Sequence, residues 1–188
     1  SRRSRAGKEF EAILELLLMA CNITMDSQGS VGRKEFKDKR LGKMVDIVTP
    51  SATHFTIDRY NTVLISAKTT LRERWQEVSE EENRTAAATM YLATLDTHIT
   101  DDVIRQLDEA TIRLVVPKNS KNTLYKNKSM VMSYEDLFSK IISTENNWNN
   151  HIYQAEDLKD IEDRFKKQAD KHSQKYVKDY YSTQITKY

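Results

Sequence analysis

An α/β fold, a sheet covered by helices, is what this chain of 188 residues predicts. Two observations carry the expectation. Segments with a helical period alternate with short runs rich in β-branched residues, in the order helix, two strands, helix, strand, helix, strand. Aliphatic residues are also spread over most of the length, and a chain of this size buries one substantial core, so a single domain over residues 1–188 is expected. No internal repeat or low-complexity linker divides it.

The elements follow in order. Phe10, Ile13, Leu14, Leu17 and Leu18 recur at helical spacing and form one apolar face, with Ser4 as a candidate cap. Residues 26–39 are polar, rich in Lys and Arg, and contain Gly29 and Gly32, which predicts a surface loop or short irregular element. Residues 43–48 and 61–68 are β-branched and predict two strands, the first closed by Pro50. Thr69 or Thr70 is positioned to cap a following helix whose apolar residues are Leu71, Trp75 and Val78. Residues 90–95 predict a strand, 101–109 a short helix, and 112–117 a strand stopped by Pro117. Ser133 is expected to cap a helix through Leu137, Ile141 and Ile142, and the tail from Ile152 is a charged, tyrosine-rich helical pattern.

Composition excludes several classes. A formal net charge of +2 is too mild to imply nucleic-acid binding by itself, so any basic surface is local. Cys21 is the single cysteine, which rules out an intramolecular disulfide and favours a reducing compartment. His54, His98, His151 and His172 are scattered without zinc spacing. The basic start is followed by Glu9, Glu11 and Glu15, unlike a signal peptide, and no run is long enough to span a bilayer. A cytoplasmic protein, with residues missing upstream of Ser1, is the expectation.

The chemistry sits in three residues on consecutive elements. Asp46 lies in the first predicted strand, Lys68 ends the second, and Glu81 lies on the next helix. A hairpin would set Asp46 beside Lys68, and the helix would return Glu81 to the same edge. Two carboxylates supply hard oxygen ligands for Mg²⁺. Such a metal activates water and stabilises charge on a phosphorus, and a lysine orients the attacking water. With 28 acidic and 30 basic residues, similar triplets also arise by chance as solvated charges. An ionised group within an apolar strand, however, is costly without a purpose. Arg72-Glu73-Arg74, directly after Lys68, would project from the same edge. Arginine can pair with guanine O6 and N7, and a carboxylate with the cytosine amino group. The plainer alternative is a helix terminus with surface ion pairs.

Together these residues resemble the PD-(D/E)xK nucleases, and within them the CCGG family of type II restriction endonucleases, the branch containing NgoMIV and the EcoRII catalytic domain. The matching stretches are Ser4-Arg5-Ala6-Gly7 with Glu11, Val45-Asp46, Ser66-Ala67-Lys68-Thr69-Thr70, Arg72-Glu73-Arg74-Trp75 and Glu81, with Leu95-Asp96 and Leu114-Val115-Val116-Pro117 further on. Val45 replaces the usual proline, and Ser66 replaces the acidic residue two before the lysine, which this subgroup supplies from the following helix. Glu77, one turn before Glu81, is its rival.

The resemblance implies a restriction-endonuclease-like central mixed sheet flanked by helices. It implies Mg²⁺ held by Asp46 and Glu81 with the Ala67 carbonyl, and Lys68 positioning the water. Glu11 would orient Lys68 or a metal-bound water, or is a solvated helix residue. Arg72 and Arg74 would read guanines and Glu73 cytosines, with Arg5, Lys34 and Arg40 on phosphates. The implied activity is cleavage of double-stranded DNA before the CC of a palindrome with CC/GG half-sites, continuous or interrupted (CCGG, CCNGG or CCWGG). A homodimer or higher oligomer and a cognate DNA methyltransferase are the implied partners. The competing readings are a structure-dependent repair or junction nuclease and a non-catalytic DNA-binding domain.

Overall fold

The structure, a computed structural model, describes residues 2–72, 74–85 and 89–188, apart from the side chains of Arg3 and residues 81–85. Helix α1 (Arg2–Ala20) leads into strand β1 (Asp26–Ser27), then α2 (Gln28–Val31) and α3 (Arg33–Asp38). Strand β2 (Ile47–Thr49) is followed by α4 (Ala52–Ile57), a 3₁₀ turn at Arg59–Asn61, and β3 (Val63–Lys68). Next come α5 (Arg74–Thr85), β4 (Met90–Thr94), α6 (Asp101–Glu109), β5 (Ile112–Val116), α7 (Lys118–Thr123) and β6 (Val131–Ser133). Helices α8 (Tyr134–Asn146), α9 (Ala155–Lys171) and α10 (Lys175–Ile185) complete the chain.

Among the described residues the strands form one mixed sheet in sequential order from β1 to β6. β1, β2 and β3 pair antiparallel, and β3 to β6 pair parallel. The parallel strands are covered on both faces, so β3 and β4 are buried at every position, apolar except for Ser66, Lys68 and Thr94 toward their C-terminal ends. Alternation divides the core in two. Ile65, Tyr91 and Val115 face Phe10, Leu14 and Leu18 of α1, with Phe165 and Tyr181 of α9 and α10 in the same cluster. Leu64, Leu92 and Leu114 face Leu71, Trp75, Val78, Ile104 and Leu107. The C-terminal ends of β3, β4, β5 and β6 therefore lie along one edge, and the start of antiparallel β2 joins them there. At the opposite edge Thr111, left-handed at φ 61°, turns the chain from α6 into β5. No helix among the described residues is long and apolar enough to cross a membrane.

Several expected boundaries move. The first strand begins at Ile47 rather than residue 43, because the Val45 N–H closes a turn onto the Gly42 carbonyl and leaves Asp46 just outside the strand. The β2–β3 pair is not a tight hairpin, since α4 and the 3₁₀ turn intervene. Residues 26–39 are neither a surface loop nor an irregular element: they form β1, α2 and α3, and Asp26 and Ser27 are buried. Neither Thr69 nor Thr70 caps α5, which starts at Arg74 after a left-handed Arg72. Ser4 lies inside α1 rather than at its cap. Of the α1 stripe, Phe10, Leu14 and Leu18 are buried, while Ile13 and Leu17 remain about half exposed at 55% and 46%. They line an apolar groove with Leu95, Pro117 and Phe138. Ser133 does cap α8, in a capping box completed by Asp136. The tail is two helices packed on the core through Ile161, Phe165, Val177, Tyr180 and Tyr181.

One buried polar network centres on Arg164 of α9. Arg164 bridges Asp26 of β1 (Nε to Oδ2, 2.9 Å), Thr53 of α4 (2.8 Å) and Asp160 (3.2 Å). Asp26 Oδ2 also accepts the Ala52 N–H at 2.8 Å. His54 is fully buried beside them, with Nδ1 2.6 Å from the Ser51 hydroxyl and Nε2 2.9 Å from the Tyr153 hydroxyl. Burial, with the Arg164 charge adding to it, pushes the imidazole from 6.5 down to about 3.

Between those two values the unfolded chain binds a proton that the folded chain refuses, so stability is intact above pH 6.5 and falls as pH drops toward 3. At pH 5.5 the expected loss is about 1 kcal/mol, or roughly 2–4 °C in Tm. A thermal-melt series from pH 7.5 to 4.5 checks it. His54→Gln, which does not titrate, should show a flatter decline.

Candidate active site

The site is built at the sheet edge where β2 begins and β3 ends. Asp46 is held by backbone bonds from both sides: its N–H donates to the Ile65 carbonyl (2.9 Å), and its carbonyl accepts the Gln28 N–H (2.8 Å). The Gln28 side chain donates to the Lys43 and Val45 carbonyls at 3.2 and 3.1 Å, pinning the segment that delivers Asp46. The Asp46 side chain then turns toward β3. Its Oδ2 accepts the Ala67 N–H at 2.7 Å and a proton of Lys68 Nζ at 3.2 Å. Lys68 Nζ also donates to the Ala67 carbonyl at 3.1 Å.

The surroundings are dry on one side. The Lys68 and Asp46 side chains are 7% and 13% exposed. Among the described residues Asp46 Oδ1 takes no hydrogen bond. Glu11, half-buried on α1, has its carboxyl raised above the ordinary range, first by burial and then by the Asp46 charge, with Lys68 opposing. The structure thus brings Asp46, Ala67 and Lys68 into contact and places Glu11 in their electrostatic neighbourhood.

The other predicted residues divide. Glu81 is in α5, but its side chain lies outside the described residues, as does the whole of Glu73. Glu77 lies in the first turn of α5 and is exposed. Arg72 and Arg74 are exposed beside the Lys68 end of β3; Arg72 is in the turn at φ 42°, and only Arg74 is helical. Arg72 therefore stands in a turn ahead of the helix rather than at a helical start, and Arg74 opens α5. Arg5 is exposed on α1, and Arg40 is exposed at φ 63° after α3. Lys34 is paired along α3 with Asp38 at 2.6 Å. No hydrogen bond or ion pair ties Arg5, Lys34 or Arg40 to the Asp46–Lys68 cluster among the described residues.

Two positioning residues escaped sequence reasoning. Gln28 carried no signal, since a glutamine in a polar stretch has no pattern. Asp96 accepts the Leu71 N–H at 2.9 Å; the resemblance included Leu95-Asp96 but gave Asp96 no role.

The donor set suits a hard divalent cation: the Asp46 Oδ1 and the Ala67 carbonyl are oxygen atoms at one corner, with a lysine alongside. Among the described residues no group of three or more metal-type side chains is assembled.

Comparison with known proteins identifies the family. Residues 1–138 match the family described as EcoRII C terminal. The chain is 46% identical over 187 residues to the type II restriction enzyme SsoII of Shigella sonnei, covering 99% of this chain and 61% of that protein. It superposes on metal-depleted Ecl18kI in complex with uncleaved, modified DNA with a TM-score of 0.90 and 44% identity, over 98% of this chain and 61% of that one. The restriction endonuclease PspGI, in its substrate DNA complex, shares the fold at a TM-score of 0.64 and 23% identity, over 78% of this chain and 64% of that one. The chain thus spans about three-fifths of the length of SsoII and Ecl18kI. Its mixed sheet is the restriction-endonuclease fold, and the chain belongs to the EcoRII C-terminal family.

Proposed function

We propose that residues 1–188 act as one catalytic domain of a type II restriction endonuclease that makes Mg²⁺-dependent double-strand cuts in DNA. The contact that carries this reading is Asp46 held against Ala67 and Lys68 at the sheet edge. Its support comes from SsoII, a type II restriction enzyme, and from Ecl18kI, whose structure contains DNA. The site is a palindrome with CC/GG half-sites, continuous or interrupted, cut before the CC to leave a 5′ overhang. A homodimer, or a higher oligomer, delivers one site to each strand. The cognate partner is a DNA methyltransferase acting on the same sequence, and the compartment is the prokaryotic cytoplasm.

Each residue has a defined task. Asp46 and Glu81, or Glu77 in its place, hold the metal together with the Ala67 carbonyl. When bound, Mg²⁺ lowers the pKa of water and offsets charge on the phosphate. Lys68 orients the nucleophilic water and adds positive charge where negative charge develops. Glu11, whose carboxyl is raised by burial and by the Asp46 charge, orients Lys68 or a metal-bound water. Arg72 and Arg74 read guanines and Glu73 reads cytosine, while Arg5, Lys34 and Arg40 contact phosphates.

Digestion of a sequenced plasmid with and without Mg²⁺, with the ends mapped, tests the reading. Metal-dependent ends confined to CC/GG palindromes are expected. Scattered or structure-dependent nicks indicate a repair or junction nuclease, and specific binding without cutting indicates a non-catalytic domain. Arg74→Ala should weaken discrimination between the mapped site and single-base-pair variants by about 1–3 kcal/mol. Full sequence preference in that variant would remove the recognition assignment.

A further inference from the structure

The segment that carries Arg72 and Arg74 is anchored from a neighbouring strand. Asp96 follows β4 at the same sheet edge as Lys68. Its own turn fixes it: the Asp96 N–H donates to Thr94 Oγ1 (3.1 Å), and Asp96 Oδ1 accepts the His98 N–H (2.9 Å). The remaining oxygen, Oδ2, reaches back 25 positions to accept the Leu71 N–H at 2.9 Å. Thr94 Oγ1 adds a longer bond to the Thr69 carbonyl at 3.4 Å.

Leu71 is the pivot between catalysis and the exposed arginines. Its side chain is 2% exposed in the second core cluster, and its carbonyl accepts the Arg74 N–H at 2.8 Å. Between those two bonds stands Arg72, at φ 42°, a conformation that a side chain with a Cβ adopts only where its surroundings impose it. Asp96 supplies that constraint on the N-terminal side and the first turn of α5 on the other. Without the carboxylate, the turn is free to relax toward ordinary backbone angles, which swings both arginine side chains at their roots.

We propose that Asp96 is a positioning residue for sequence discrimination, aiming Arg72 and Arg74 through the Leu71 N–H. The proposal rests on the reading of Arg72 and Arg74 as base-contacting residues. Paired hydrogen bonds from one guanidinium to a base edge demand both distance and angle, so a small swing costs more at the correct base than at a wrong one, where the pair is already imperfect. The effect belongs to specificity rather than to the cleavage step.

The test compares wild type, Asp96→Ala, Asp96→Asn and Asp96→Glu in the full-length enzyme. The readout is the ratio of kcat/KM on the mapped site to kcat/KM on duplexes with one base pair changed. Asp96→Ala is expected to lower the ratio roughly tenfold or more. Asp96→Asn keeps one carbonyl acceptor for the two N–H groups, of Leu71 and His98, that the carboxylate serves, so it should restore the ratio only in part. A role confined to stability lowers both rates together and leaves the ratio unchanged, which overturns the proposal. Should Asp96→Ala not fold, Asp96→Glu decides, because it keeps the charge and displaces the acceptor: an unchanged ratio overturns the proposal, and a lowered one sustains it. Arg74→Ala run in parallel separates the two levels. If it collapses the ratio and the Asp96 variants do not, the positioning role alone fails. If Arg74→Ala leaves the ratio unchanged, the base-reading assignment fails and the Asp96 role falls with it.

Discussion

Lys68→Ala is expected to reduce cleavage by roughly 10²–10³-fold or more while leaving sequence-specific DNA binding in place. The asymmetry follows from what the side chain touches. Lys68 Nζ contacts Asp46 Oδ2 and the Ala67 carbonyl, whereas the proposed base-reading residues start at Arg72. Removing the ammonium leaves Asp46 still fixed by the Ala67 N–H and by its own backbone bonds, so the corner keeps its shape and loses its cation. The consequence falls on the step in which charge develops on the phosphate. Lys68→Arg should not rescue it, because the planar guanidinium is too broad for a pocket in which the lysine is 7% exposed and cannot place a donor where Nζ stands. Single-turnover cleavage with Mg²⁺, set beside a binding assay in Ca²⁺, measures both quantities. Cutting by Lys68→Ala within tenfold of wild type would falsify the assigned role.

The second large effect concerns stability. Arg164→Ala strips the counter-charge from Asp26, whose side chain has no solvent exposure and whose Oδ1 already lacks a partner among the described residues. Truncating one member of a buried pair typically costs about 3–5 kcal/mol, since an uncompensated charge stays behind. For a domain of this size that corresponds to roughly 6–20 °C in Tm. Asp26→Asn combined with Arg164→Met should recover much of the loss, because the charge and its partner leave together. Denaturant titration of the two single variants and the double variant gives the coupling. Equal stability of Arg164→Ala and wild type would mean that Asp26 is protonated or hydrated in the folded chain. The pair also ties β1 to α9, so Arg164→Ala should loosen the edge where Gln28 supports Asp46.

The sequence and the structure agree most closely where a segment's environment is written in its own residues. β3 and β5 are β-branched runs buried by neighbours on both faces, and α6 spans the residues expected from its apolar spacing. The contact of Asp46 with Lys68 was legible because two charged groups stood in or beside apolar strands. What escaped depends on distant partners. Asp26 and Ser27 read as loop because their burial is made possible by Arg164, 138 positions along the chain. The start of α5 was misplaced because Asp96, 25 positions later, takes the Leu71 N–H that a helix cap would otherwise compete for. Arg5, Lys34 and Arg40, expected on phosphates from the resemblance, are exposed, with Lys34 paired to Asp38. Glu81 was read from its place on the helix after Lys68 and from the resemblance, and its side chain lies outside the described residues.

The left-handed turn at Thr111 offers a practical handle. It lies across the width of the sheet from Lys68, about 16 Å away along a five-residue strand such as β5. A cysteine tolerates a positive φ better than a β-branched threonine does, so Thr111→Cys relieves the turn rather than burdening it. With the exposed Cys21 changed to serine, that thiol becomes a single attachment point for a dye. A label placed there can report on tumbling and on distances to bound DNA while every group proposed to touch DNA stays unmodified.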